Sequence, residues 1–300
     1  MAPITRRRAL SILAAAAPAL AFAPGAPRAT WRGRALGADA SITLVGAGAG
    51  PALDAARDAI RRAEAAFSLF DPGSALSRLN ADGRLRSPPP EMLALAAEVT
   101  RVHALTEGAF DPTVQPLWRL MADTDGRPDP WALKRARALI GWEGVRIDPT
   151  EIAFARTGMA LTFNGIAQGF ATDRAAAALA AHGFGHALVN VGEWRAMDGP
   201  WRLALGDGGE VVSLTGGAMA TSEPGAIRFG GGPGHILSPG AESGAGFARV
   251  TVIAQSAARA DGLSTALCAA GPARAAAIMA RSPGDRMVAV TEDGARLTLG

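Results

Sequence analysis

The residues able to do chemistry in this 300-residue chain are few, and their spacing sorts them. Asp261 and Thr265 stand four apart at the start of an expected helix, so a carboxylate and a hydroxyl point the same way. On spacing alone a helix-start acid beside a packed Thr is the plainer reading. Asn164-Gly165-Ile166-Ala167-Gln168-Gly169 follows a β-like run, Met159–Phe163, and feeds an Ala-rich helical pattern from Phe170 to Ala181. Such a glycine-flanked loop presents main-chain N–H groups and the positive end of a helix dipole, which suits an anion such as a phosphate. Many strand–loop–helix units share that form and bind nothing. Of the four histidines, His235 lies in a glycine-rich loop, His103 in a helical pattern, and His182 and His186 flank Gly-Phe-Gly. No HExxH motif or cysteine cluster points to zinc.

The surrounding elements follow from periodicity and breakers. Trp31–Val45 alternates as one or two strands, and a helix is expected from Ala52 to about Phe67. Between them, Gly46-Ala47-Gly48-Ala49-Gly50-Pro51 imitates a dinucleotide loop. Pro51 occupies the place of its third glycine and no acid-ended strand follows, so the loop reads as structural. Phe67–Asn80 reads as a loop, Glu91–Thr106 as a helix, and Trp131–Ile140 as an exposed basic helix. Two short strands are expected across Asp148-Pro149, and a further strand over Ala187–Val191. Trp201–Leu205 and Val211–Leu214 read as a hairpin around residues 206–209. Ala218–Ser222 and Arg249–Gln255 read as strands, Ala260–Ala270 and Pro272–Arg281 as helices, and Met287–Leu299 as a closing hairpin.

Composition bounds the class. With 49% hydrophobic and 19% charged residues the chain is globular and can bury a sizeable core. The pI of about 10.2 is not a nucleic-acid signal. There is no Tyr and Lys134 is the only lysine, so a small surplus of arginine moves the pI far. Arg6, Arg7, Arg8 and Arg28 fall in the first 29 residues; without them 26 basic side chains face 27 acidic ones, a net charge of −1. A polyanionic partner is therefore not expected.

Arg6-Arg7-Arg8 before the apolar stretch Ala9–Ala23 reads as a twin-arginine signal, cut somewhere between Ala21 and Ala29, with an ordinary Sec signal or an uncleaved anchor as the alternative. The stretch is too short and too Pro-interrupted to favour a membrane span. The expected organisation is a signal over residues 1–29 and one domain over 30–300. The mature protein is expected in the periplasm without a stable membrane anchor. The single cysteine, Cys268, excludes an intramolecular disulfide.

Five ordered blocks resemble the FAD:protein FMN transferase (ApbE) family. Thr162–Asp173 with Val189–Gly192 is similar to its Asp-Leu-Gly-Gly-Ile-Ala-Lys-Gly-Tyr-Ala-x-Asp motif and the Val-Asn-Leu-Gly-Gly-like strand that follows. Phe67–Asn80 resembles its Ser-x-Leu-Ser-x-Leu-Asn block, and Gly108–Trp118 its Gly-x-Phe-Asp-x-Thr-Val block. Gly234–Pro239 and Ala260–Leu267 resemble its His-Ile-Ile-Asp-Pro and Ala-Asp-Ala-Leu-Ala-Thr-Ala blocks.

The resemblance implies an α+β, ApbE-like flavin transferase fold, with mixed sheets and packed helices around a central FAD and Mg²⁺ cleft. It implies transfer of FMN from FAD to a Thr or Ser hydroxyl of an acceptor flavoprotein, with release of AMP. It places Mg²⁺ on Asp261, Thr265 and the Gly165 carbonyl, with His235 and Asp261 catalytic. FAD would be lined by Leu36, Phe70, Ala109, Phe110, Asp111, Thr162, Gln168 and Ile236. Phe70 is the expected flavin-stacking ring, with a core aromatic as the alternative. Asp111 serves equally as a turn or cap residue.

Departures from the pattern also stand out. Its Asp is Thr162 here, its Lys or Glu is Gln168, its Asp-Pro is Ser238-Pro239, and its Thr-Gly is Glu242-Ser243-Gly244. With the twin-arginine signal, the central motif looks like the NosX-like subgroup associated with nitrous-oxide reductase maturation, which implies a membrane flavoprotein as acceptor. An FAD pyrophosphatase, or a flavin carrier without catalysis, would keep the same site.

Overall fold

The structure is a computed structural model that describes residues 27–205, 210–240 and 246–300. The twin-arginine segment, the hairpin loop 206–209 and Glu242-Ser243-Gly244 lie outside the described residues.

β1 (Arg28–Ala35) and β2 (Ala38–Val45) pair antiparallel about Leu36 and Gly37, both at positive φ. Then come α1 (Gly50–Phe67), α2 (Ala75–Asp82), β3 (Arg84–Arg86) and α3 (Pro90–Leu105). They lead to α4 (Gln115–Asp123), α5 (Pro130–Arg137), β4 (Val145–Ile147), β5 (Glu151–Phe154) and α6 (Ala167–Ala181). The second half holds β6 (Ala187–Val191), β7 (Trp194–Met197), β8 (Trp201–Ala204), β9 (Val211–Leu214) and β10 (Ala218–Ser222). It closes with β11 (Phe247–Ala254), α7 (Ala257–Ala270), α8 (Pro272–Ala280), β12 (Arg286–Thr291) and β13 (Arg296–Leu299).

Eight strands form the main sheet in the order β1-β2-β6-β7-β10-β11-β12-β13, beside sheets of three (β3-β5-β4) and two (β8-β9). Among the described residues every pairing is antiparallel. The architecture is α+β. β6 is buried at all five positions because both faces are covered: Val189 and Val191 join the main core, while Leu188 joins Trp194, Trp201 and Leu203. A strand covered twice reads as a continuous apolar run, which is why it was legible.

The main core lies where α1, α6 and α7 cover the sheet, with α3 packed on α1 and α7. α1 turns Ala52, Ala56, Ala59, Ala63 and Ala66 inward, and these small side chains let it lie close against α6. At its end the Phe67 ring stands edge-on to Phe163 (5.7 Å between centroids) and to Phe170 (5.5 Å). Those two rings bracket the Asn164–Gly169 loop, so the core fixes both of its ends.

Three sequence expectations change here. Met159–Phe163 joins no sheet: the Asn80 side chain takes the place of a strand partner, donating to the Leu161 carbonyl (2.8 Å) and accepting its N–H (2.7 Å). The Phe67–Asn80 stretch is not all loop, since α2 starts there under Ser74, whose hydroxyl caps the Ser77 N–H. α6 and α7 each begin three residues earlier than periodicity suggests, which moves Asp261 from the helix start into its second turn.

Candidate active site

The site is built where the first turn of α6 crosses α7. Asp261 on α7 is 4% exposed, and its Oδ2 accepts the Gly169 N–H at 3.0 Å. The anion received at the start of α6 is thus the protein's own carboxylate. Burial pushes the Asp261 carboxyl up to about 7, against the pull of the Gly169 N–H, with the nearby Asp173 charge adding to the rise.

One turn on, Thr265 points the same way and stays partly exposed. A Cβ on Gly165 would meet Thr265 Cγ2 at 2.7 Å and Oγ1 at 2.8 Å, so only glycine lets the loop backbone lie this close to the hydroxyl. The structure therefore brings Gly165, Asp261 and Thr265 together. They offer carbonyl, carboxylate and hydroxyl oxygens, a hard donor set that suits Mg²⁺. Among the described residues no cluster of three or more His, Cys, Asp or Glu forms a metal site, so an ion here draws on hydroxyl and carbonyl oxygens as well.

β10 supplies residues that sequence reasoning missed. Ser222 Oγ lies 2.8 Å from Ser264 Oγ and 3.3 Å from Thr265 Oγ1. Two residues on, the Pro224 carbonyl lies 3.2 Å from His235 Nδ1. Two residues of chain span at most about 7 Å, so this contact keeps His235 near the α7 hydroxyls. A carbonyl only accepts, so Nδ1 carries the proton and Nε2 keeps its lone pair. Burial lowers the His235 pKa, while the contacts with Pro224 and Ile227 pull it up.

The expected FAD contacts divide. Gln168 Nε2 donates to the Leu36 carbonyl at 3.3 Å, joining the α6 loop to the β1–β2 turn. Phe70 is 71% exposed, which rules out the core-aromatic alternative. Thr162 donates its N–H to the Pro112 carbonyl (2.9 Å), while its hydroxyl receives the Asn164 N–H (3.3 Å). Ala109 and Phe110 are buried, and Ile236 packs partly buried against the main core.

Asp111 spends its carboxylate on the protein. Oδ1 accepts the Thr113 N–H (2.8 Å) and hydroxyl (2.5 Å), and Oδ2 accepts the Trp142 N–H (3.1 Å). The cap reading of Asp111 therefore holds, and the residue shapes the loop that Thr162 leans on.

Two further carboxylates border the site. Asp173 of α6 accepts the Ala257 and Ala258 N–H groups, at 2.9 Å each, and so caps α7. Glu193, at the turn between β6 and β7, is 7% exposed and accepts the Thr221 N–H at 3.1 Å. Burial raises its carboxyl well above the ordinary range and the Asp261 charge raises it further. The signal for Glu193 was present in the sequence: an acid directly after Gly192, where the family pattern has a second glycine.

A buried carboxylate, a hydroxyl and a glycine loop meet at a helix crossing in an α+β protein, with a partly buried histidine tied to the strand beside them. The chain belongs to the ApbE family, whose model matches residues 36–289.

Among its relatives is the FAD:protein FMN transferase of Vibrio cholerae, 29% identical over 260 residues, covering 76% of each chain. The FAD:protein FMN transferase of Haemophilus influenzae is 28% identical over 247 residues, covering 72% of this chain and 71% of that one. The crystal structure of the Pseudomonas stutzeri flavinyl transferase ApbE, in its apo form, superposes with a TM-score of 0.80 at 28% identity, covering 93% of this chain and 97% of that one. The Thermotoga maritima ApbE protein superposes with a TM-score of 0.79 at 26% identity, over 90% and 96%.

Proposed function

We propose that this protein transfers the FMN part of FAD to a Thr or Ser hydroxyl of an acceptor protein and releases AMP. The observation that carries the reading is the meeting of Asp261, Thr265 and Gly165 at the α6–α7 crossing, in a chain whose relatives are FAD:protein FMN transferases. In the step, a bond forms between the acceptor oxygen and the FMN phosphorus, and the pyrophosphate P–O bond to AMP breaks. The hydroxyl proton passes to His235 Nε2, whose lone pair the Pro224 contact leaves available.

Asp261, Thr265 and the Gly165 carbonyl would hold Mg²⁺, which supplies neutralisation of pyrophosphate charge. The exposed Phe70 offers a ring face to the isoalloxazine. Leu36 and Gln168 close the other side as one hydrogen-bonded unit, and Ala109, Phe110 and Ile236 give apolar walls. Asp111 and Thr162 shape the backbone beside them.

Export by a twin-arginine signal, action in the periplasm without a membrane anchor, and a membrane flavoprotein acceptor linked to nitrous-oxide reduction complete the proposal. Arg6-Arg7-Arg8 before an apolar stretch supports the export. No described helix is long and apolar enough to cross a membrane.

The test incubates mature protein with FAD, Mg²⁺ and a flavinylation-domain acceptor, reading acceptor mass and AMP. A gain of one FMN, lost in Asp261→Ala and His235→Ala, is expected. FMN and AMP without labelled acceptor would make the protein an FAD pyrophosphatase. Intact bound FAD would make it a carrier.

A further inference from the structure

Glu193 is a buried acid that the steps above do not use. Its main chain and side chain tie it to both walls of the α6–α7 site. On one wall, the Thr172 hydroxyl lies between the Gln168 carbonyl (2.9 Å) and the Glu193 carbonyl (3.1 Å). Gln168 precedes Gly169, whose N–H holds Asp261. On the other wall, Glu193 Oε2 accepts the Thr221 N–H (3.1 Å), and Thr221 precedes Ser222, whose hydroxyl lies 3.3 Å from that of Thr265. Glu193 thus sits between the residue before the Asp261 donor and the residue before the Thr265 neighbour.

Among the described residues neither Glu193 nor Asp261 has an Arg, Lys or His partner within ion-pair distance. Each carboxyl receives a single main-chain N–H. Two buried carboxyls with one donor apiece are unfavourable as anions unless they take up protons or a cation lies between them. Hard carboxylate oxygens select a divalent cation of the Mg²⁺ or Mn²⁺ kind, and the number of charged ligands sets how tightly it is held.

We infer that Glu193 completes the cation pocket, adding a second carboxylate to the oxygens of Asp261, Thr265 and Gly165. This inference rests on the proposed metal-dependent reading of the site. It gives the cation-loaded site two carboxylates, the second supplied from the β6–β7 turn rather than from α7.

The test is Mn²⁺ binding by the mature protein without flavin, read as free Mn²⁺ by electron paramagnetic resonance. Glu193→Gln keeps the shape and can still accept the Thr221 N–H, but removes the charge. Its dissociation constant should rise at least about tenfold. Asp261→Asn should abolish measurable binding. Melting in EDTA should leave Glu193→Gln as stable as the parent or more so, with a smaller Mn²⁺-induced rise in Tm. Affinity within twofold of the parent, alongside lost binding in Asp261→Asn, would overturn the inference and reduce Glu193 to a brace for β10. Equal binding by the parent and Asp261→Asn, or none by the parent, would overturn the underlying metal reading instead. Should Gln at 193 prevent folding, Glu193→Asp decides: the charge stays but is drawn back by one methylene. Its affinity should fall at least about threefold, and parent-like affinity would overturn the inference.

Discussion

Gln168 and Leu36, 132 residues apart, are joined by a hydrogen bond from the Gln168 amide to the Leu36 carbonyl at 3.3 Å. Leu36 is held from both ends, because its own N–H donates to Glu64 Oε1 at 3.2 Å. That grip matters, since Leu36 sits at φ 47°, a left-handed conformation costly for a side chain with a Cβ. Gln168→Ala removes one grip. One hydrogen bond is worth about 0.5–1.5 kcal/mol, so the FAD dissociation constant should rise roughly two- to tenfold in a fluorescence titration. Gln168→Lys, which restores a donor of similar reach, should recover most of that loss. Equal loss in both variants would show that the Leu36 carbonyl is not the relevant partner.

Phe70 is large, apolar and 71% exposed, with its loop set by the Ser68 hydroxyl, which accepts the Phe70 and Asp71 N–H groups. Exposure of this kind gives no folding benefit and fits a ligand ring. Phe70→Ala should leave thermal stability within about 0.5 kcal/mol of the parent. It should weaken FAD binding by about 1 kcal/mol, roughly fivefold, with Phe70→Tyr close to the parent. A large stability loss in Phe70→Ala would assign the ring to the core instead.

The parts of the fold legible in the sequence are those whose pattern is set by a single environment. β6, covered on both faces, reads as an apolar run, and α1 shows its inward alanines at helical spacing. Met159–Phe163 misled because its alternation is satisfied by a side chain, Asn80, rather than by a neighbouring strand. The start of α7 was hidden because part of its cap comes from Asp173, 84 residues upstream of Ala257. Asp261, Thr265 and Gly165 could be named only through the family resemblance, since spacing alone favours a helix-start acid beside a packed Thr. Ser222 left no sequence signal and Glu193 only an acid in place of the pattern's second glycine, since their contacts with the site exist only once the β10 and β7 edges are brought together.

The His235 environment sets a pH dependence. Burial lowers its pKa below the ordinary value near 6.5, so the ring stays neutral and able to accept a proton at neutral pH. The acid limb of the turnover profile should therefore fall below pH 6.5 rather than at it. Stability follows with the opposite bookkeeping: as pH drops through about 6.5 the unfolded chain takes up the proton first, so the folded state loses stability until the lowered pKa is reached. His235→Gln should remove that part of the acid-side loss in urea melts at pH 5 against pH 7.5. An unchanged pH difference in the variant would show that His235 titrates as an ordinary surface group.

Gly169 and Asp173 lie one turn apart on α6 and meet the same turn of α7, so together they set where Asp261 stands. A Cβ at Gly169 would lie 2.2 Å from the Ala257 carbonyl oxygen and 2.8 Å from the Ala258 nitrogen, both main-chain atoms that cannot rotate away. Helix propensity favours Ala over Gly by about 1 kcal/mol. Overpacking against fixed backbone costs about 1–3 kcal/mol, and at this distance the clash should win. Gly169→Ala should therefore destabilise by roughly 2 kcal/mol net of propensity, and lower turnover by moving the N–H that orients Asp261. Asp173→Ala leaves the Ala257 and Ala258 N–H groups uncapped and should cost about 1–2 kcal/mol. Because both changes loosen one crossing, the double variant should lose less than the two single losses combined. Additive losses in denaturant melts would show that the two contacts hold α7 independently.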